Sequence, residues 1–136
     1  MTRIVIAFDG SDQARKTLEA VDWFDRDGLS VVLVSVVDGP ALDANGDAVH
    51  ADPEQFAGAR AMTCEAAASM TARGIDVQAR IEVGQPAEAV IAVAREVKAD
   101  LIMTGCRGLG LAQRLVFGSV SSAILGDAPC PVLVVR

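Results

Sequence analysis

The 136-residue sequence is poor in aromatic residues, with one Trp, four Phe and no Tyr. Proteins that bind single-stranded nucleic acid usually stack the bases on aromatic side chains, so this scarcity argues against such a ligand. Basic residues are also few, 12 against 18 acidic residues, and the net charge is −6. Because nucleic-acid-binding domains usually present a basic face, we expect no nucleic-acid partner.

Long apolar runs are absent as well, and none approaches the roughly 20 residues of a membrane-spanning helix. The three cysteines, Cys64, Cys106 and Cys130, form an odd set without the spacing of a metal site. A strand-like pattern begins at Arg3 and leaves no stretch for a cleavable leader. These features predict a reduced, cytoplasmic protein with no membrane partner.

Several catalytic and phosphate-binding patterns are missing. The one histidine, His50, has no Cys or His neighbours in the sequence, so neither a Ser-His-Asp set nor a histidine metal site can be assembled. The pattern G-x-x-x-x-G-K-[ST] does not occur, and the segment after the first predicted strand is not G-x-G-x-x-G. The first absence excludes a P-loop NTPase, and the second argues against a dinucleotide-binding domain.

What the sequence does contain is a regular alternation of short apolar runs and amphipathic segments. The apolar runs predict strands at Arg3–Phe8, Leu29–Val37, Ile75–Val83, Asp100–Thr104 and Pro131–Val135. Helices are predicted between them, after Ser11 or Asp12, over Glu54–Arg73, after Pro86 and over about 118–125. This order predicts an α/β fold: a single-domain, open five-stranded parallel sheet with helices on both faces, Rossmann-like.

The segment Thr104–Ser119, TGCRGLGLAQRLVFGS, holds four of the twelve glycines. Gly105, Gly108 and Gly118-Ser119 have the spacing G-x2-G-x9-G-S. Glycines at these places let backbone amides line a concave anion site, and a helix that begins at Gly118 presents further amides. Arg107 and Arg114 would add positive charge there. The alternative is a long irregular turn between a strand and a helix.

In open parallel sheets, ligands bind at the carboxyl ends of the strands, where the strand order reverses. We expect the order 3-2-1-4-5, in which strands 1 and 4 are neighbours. The turn Asp9-Gly10-Ser11 and the glycine segment would then face one crevice. Asp9 alone would be an ordinary helix-capping residue, but opposite the glycine segment it becomes a candidate ligand contact.

These segments, together with IVIAFDGSD, VGQPAEAVIAVAREVKADLIMTGCRGLG and GSVSSAILGDAPCPVLVVR, resemble the universal stress protein family over essentially the whole chain. The spacing G-x2-G-x9-G-S is typical of its ATP-binding branch. The resemblance implies one domain over 1–136, similar to the adenine nucleotide alpha hydrolases, with a flexible acidic loop at about 38–53 and a phosphate-binding loop at 105–119. It also implies a stress-response regulator that forms a homodimer through Pro131–Val135.

The same resemblance implies that ATP is bound, with Mg²⁺ or Mn²⁺ on the triphosphate. Asp9 would touch the ribose or the metal shell, and Val36 would meet adenine through its backbone. The residues implied to hold or neutralise the phosphates are Gly105, Arg107, Gly108, Gly118, Ser119 and Ser121.

Cys106 departs from the family pattern, because members commonly carry Ser, Thr or a similar small residue there. A thiol is a weak hydrogen-bond donor, so its side chain would contribute less to phosphate binding. Two alternatives to a regulatory ATP-binding protein stay open. One is a slow ATPase or self-phosphorylating enzyme, for which no catalytic residue is identified. The other is a non-nucleotide interaction protein with a redox-sensitive Cys106.

Overall fold

The computed structural model describes residues 1–38, 45, 52–106 and 119–136, in which strands and helices alternate. The strands are β1 (Thr2–Ala7), β2 (Leu29–Val37), β3 (Asp76–Val83), β4 (Leu101–Gly105) and β5 (Val132–Val135). The helices are α1 (Asp12–Ala20), α2 (Pro53–Ala72), α3 (Pro86–Glu96) and α4 (Ser119–Asp127), and a short 3₁₀ turn (Val21–Trp23) follows α1.

The five strands form one parallel sheet in the order β3-β2-β1-β4-β5. This confirms the predicted fold class and strand order. β1 pairs with both β2 and β4, and Ile6 of β1 lies opposite Met103 of β4. The strand order therefore reverses at β1: β2 and β3 lie on one side of it, and β4 and β5 on the other. The carboxyl ends of β1 and β4 are therefore side by side. The last strand begins one residue later than predicted, although the Pro131 carbonyl still accepts a bond from the Ile102 amide at 3.0 Å.

Apolar side chains of the central strands are buried on both faces of the sheet. Ile4 and Ile6 pack with residues of α1 and α2, whereas Val5, between them, packs with residues of α3 and α4. Successive side chains of a strand point to opposite faces, so a strand covered on both sides has to be apolar throughout. This accounts for the continuous apolar runs that predicted β1 and β2.

Local signals account for the start of α1 and the end of α2. Ser11 caps α1, because its Oγ accepts a bond from the Ala14 amide at 3.2 Å. Gly74, with φ of +81°, follows the end of α2, in the left-handed conformation that suits glycine there. Within the described ranges, no helix is long and apolar enough to cross a membrane.

Candidate functional site

A pocket of about 540 Å³ opens at the carboxyl ends of β1, β2 and β4. Residues from the first turns of three helices also line it: Ser11, Gln13 and Ala14 of α1, Pro86 of α3, and Val120 and Ser121 of α4. Pockets for small molecules usually measure about 300–1,000 Å³. The pocket therefore lies where the strand order reverses, and it is large enough for a small organic ligand.

Four of the predicted site residues, Asp9, Val36, Gly105 and Ser121, line this one pocket. The turn after β1 and the end of β4, which leads into the glycine segment, therefore lie on the same rim of the sheet. The predicted residues Arg107, Gly108 and Gly118 lie outside the described residues, as do Arg114, His50 and most of the predicted acidic loop. Ser119 is described only as the first residue of α4.

The turn after β1 holds Asp9 at the mouth of the pocket. Its Oδ1 accepts a bond from the Ser11 amide at 2.9 Å, and Gly10 between them has φ of +81°. Asp and Asn side chains commonly bond to the backbone two residues further on in such turns. One carboxylate oxygen of the exposed Asp9 is thus anchored to its own turn, beside the residue that caps α1.

Gly105, at the end of β4, touches the backbone of α1. A Cβ at this position would lie 2.8 Å and 2.9 Å from the carbonyl carbon and oxygen of Gln13, and 3.1 Å from the Ala14 amide nitrogen. The following amide, that of Cys106, donates to the Val135 carbonyl at 3.0 Å and so belongs to the sheet. Gly105 was predicted to line an anion site, and it does line the pocket. The structure adds a packing role, because the absence of a side chain at Gly105 lets α1 lie close to the end of β4.

One wall of the pocket is apolar. Val34 and Val36 of β2 and Pro86 and Val90 of α3 contribute to it, and Val34 and Val90 are buried. Of these four residues, only Val36 was predicted to contact the ligand. Pro86 was interpreted only as a helix start, and no local pattern shows that the face of α3 that carries Val90 extends to the end of β2.

The charged side chains among the described lining residues are two carboxylates, Asp9 and Asp38. Asp38 was missed because it was grouped with the acidic loop, although it directly follows β2. Opposing this negative charge, the N-terminal ends of α1, α3 and α4 converge on the pocket, and each end carries a partial positive charge. Nowhere in the described residues do three or more His, Cys, Asp or Glu side chains form a group that could hold a metal ion.

Comparison with known proteins identifies the family to which this chain belongs. The family model described as the universal stress protein family matches residues 1–136. A Staphylococcus aureus protein assigned to the universal stress proteins is 34% identical over 137 residues, which cover 98% of this chain and 82% of that protein. The chain belongs to the universal stress protein family.

Solved structures of universal stress proteins share the fold. The universal stress protein from Archaeoglobus fulgidus in complex with dAMP matches with a TM-score of 0.73 at 23% identity, over 100% of this chain and 98% of that one. A universal stress protein in complex with cAMP matches with a TM-score of 0.72 at 23% identity, over 99% and 96%. At this level of identity, the likeness establishes the common architecture.

Proposed function

We propose that this universal stress protein is a small cytoplasmic ATP-binding regulator that acts in the stress response through its nucleotide-bound state. The observation that carries the proposal is that Asp9, Val36, Gly105 and Ser121 line one pocket at the reversal of strand order. The dAMP and cAMP complexes of the two relatives support an adenine nucleotide as the ligand class.

The two sides of the pocket suit the two ends of such a ligand. The apolar wall of Val36, Pro86 and Val90 fits the flat adenine ring, since ligand pockets are usually apolar with a few polar groups that set orientation. Asp9, after β1, and Ser121, in the first turn of α4, line the other part of the pocket with the end of β4. The ribose and phosphates would lie there, at a helix N-terminus that favours negative charge.

A polyphosphate beside Asp9 and Asp38 needs a compensating cation, because the described lining residues contribute two carboxylates and no Lys or Arg. Mg²⁺ is usually held by one or two carboxylates together with substrate phosphates. The exposed Asp9 fits that arrangement, and the described residues offer no larger acidic cluster for a resident ion. A divalent ion bound with ATP would neutralise phosphate charge, and Asp9 would orient it.

Isothermal titration with Mg-ATP tests the site. We expect Asp9→Asn to weaken binding by about tenfold, equivalent to ~1.4 kcal/mol. Asp12→Asn is the matched control: it removes the same charge three positions further along, at the start of α1, and Asp12 is not among the pocket-lining residues. Gly118→Val, in the predicted phosphate-binding loop, should abolish binding without unfolding the protein. The proposal would be refuted if millimolar Mg-ATP produced no binding heat and no thermal stabilisation of the wild type.

We also propose that β5 pairs two copies of the chain. It is an edge strand, and its Val132, Leu133 and Val134 are apolar and half-buried. Exposed apolar edges of this kind need covering. The carbonyls of Pro131 and Val135 accept bonds from the amides of Ile102 in β4 and of Cys106 directly after it. Since the backbone groups of successive residues in a strand point to opposite sides, Val134 directs its amide away from β4.

The directions of the backbone amides in β5 suggest a test of the dimer. Proline at an outward-facing edge position removes a donor that the sheet itself does not use. Val134→Pro should therefore convert a dimer to a folded monomer in light-scattering measurements, whereas Leu133→Pro should destabilise the sheet, because its amide faces β4. A wild-type protein that is monomeric at all concentrations would contradict this part of the proposal.

A further inference from the structure

A second pocket of about 300 Å³ adjoins the proposed nucleotide pocket on the side of α2. The two pockets share Phe8, Asp9, Val36 and Asp38. The half-buried side chain of Met62, from α2, lines this second pocket. A small solute that enters the second pocket therefore reaches the side chain of Met62, close to the turn that holds Asp9.

Met62 packs directly against that turn. Gly10 has φ of +81°, and a Cβ built on it would overlap Sδ of Met62 and lie 3.5 Å from both Cγ and Cε. The methionine thus occupies the space that a side chain at position 10 would take. On either side of Gly10, Asp9 carries the carboxylate at the pocket mouth and Ser11 caps α1. Packing by Met62 therefore supports two residues of the proposed site.

We propose that Met62 is an oxidation site through which a peroxide weakens nucleotide binding, an inference that rests on the function proposed above. The peroxide O–O bond breaks and one oxygen atom bonds to sulfur, so that the thioether becomes a sulfoxide. The sulfur loses two electrons and the peroxide is reduced to water or an alcohol.

The sulfoxide is larger and more polar than the thioether, so Sδ cannot keep its present contact with Gly10. If the side chain stays in place, the added oxygen displaces the Asp9–Ser11 turn. If it rotates into the second pocket, the turn loses the packing that supports it. Both responses move the Asp9 carboxylate and loosen the start of α1.

The other three methionines are either buried in the core or distant from the pocket, so their oxidation should not change nucleotide binding. Met70 and Met103 are 1% and 0% exposed, so the core shields them from a dissolved oxidant. Met1 is 91% exposed, but it precedes β1 and so lies at the end of the sheet opposite the pocket. A change in nucleotide binding caused by methionine oxidation is therefore assigned to Met62.

The test compares wild type with Met62→Leu, which keeps the apolar packing and offers no sulfur to oxidise. Both are treated with hydrogen peroxide, Met62 oxidation is quantified by peptide mass spectrometry, and Mg-ATP affinity is measured by titration. We expect wild-type affinity to fall by about tenfold, a change of ~1.4 kcal/mol. We expect it to recover with methionine sulfoxide reductases A and B but not with dithiothreitol. Met62→Leu should keep its affinity, and because it retains all three cysteines, it controls for thiol oxidation.

Hydrogen exchange of the amides from Gly10 to Ala14 provides a readout that does not need the nucleotide. We expect exchange to accelerate on oxidation of the wild type and to stay unchanged in Met62→Leu. If untreated protein binds no Mg-ATP but exchange responds in this way, the proposed function fails while the oxidation site and its effect on the turn stand. If Met62 resists peroxide that oxidises Met1, or if its sulfoxide leaves both affinity and exchange unchanged, the inference is overturned.

Discussion

Gly105→Ala tests how the first turn of α1 is held at the pocket. The new methyl group would lie 2.8 Å from the carbonyl carbon of Gln13 and 3.1 Å from the Ala14 amide nitrogen. Carbon atoms in good contact are about 3.5–4.0 Å apart. Because the neighbouring atoms belong to a helix backbone, no side-chain rotation can relieve the overlap, and α1 must move away from β4 by roughly 0.7 Å or more.

Overpacking of this kind typically costs about 1–3 kcal/mol of unfolding free energy. For a chain of this size, we expect the melting temperature to fall by roughly 4 °C for each kcal/mol. Calorimetry or urea unfolding measures this loss. Since Ser11, Gln13 and Ala14 of the displaced turn line the pocket, Mg-ATP affinity should fall as well. Both effects come from one displacement, so they should appear together.

Gly58→Ala provides the matched control for this substitution. Gly58 lies within α2, and a Cβ there would meet nothing within 4 Å. Alanine is a better helix former than glycine, so this variant should gain up to about 1 kcal/mol of stability and bind Mg-ATP as the wild type does. A Gly105→Ala protein that unfolds at the wild-type temperature with unchanged affinity would refute the close-approach argument.

Three further substitutions test other contacts. Gly10→Ala should cost ~1–2 kcal/mol of unfolding free energy through its positive φ and more through overlap with Met62. The loss measured by urea unfolding should therefore be smaller in a Met62→Ala background, and equal losses in the two backgrounds would contradict the contact. Thr63→Val removes the 2.6 Å contact with Ser35 Oγ and should lower the unfolding free energy by about 1 kcal/mol. Thr63→Ser keeps the hydroxyl group and is the control; a Thr63→Val protein as stable as the wild type would contradict the prediction. Burial, aided by the charge of Asp100, raises the pKa of the Cys130 thiol. The unfolded chain then releases this proton first as pH rises past about 8.5, so unfolding free energy should decline above that pH, and Cys130→Ala should reduce the decline.

Much of the architecture follows from local pattern in the sequence. The run Leu29–Val37 predicts β2 with the bounds that the structure shows, and of the two predicted capping residues of α1, Ser11 and Asp12, the structure shows Ser11. Some helix ends shift: α4 continues to Asp127, two residues past the predicted end. Periodicity and capping depend on neighbouring residues of one segment, and handedness and crossover rules then leave few arrangements of five parallel strands. The common rim of the turn after β1 and the carboxyl end of β4 follows from that order.

What the sequence by itself determined is therefore the order of the elements, their apolar faces and the edge of the sheet at which the pocket opens. Only the tertiary structure showed that Gly105 is required by the backbone of Gln13, that Met62 packs on Gly10, and that Val90 of α3 completes the wall beside β2. A period of 2 or 3.6 residues tells which face of an element is buried. It does not tell which atoms of a distant segment meet that face, because such contacts depend on how separate elements pack in three dimensions.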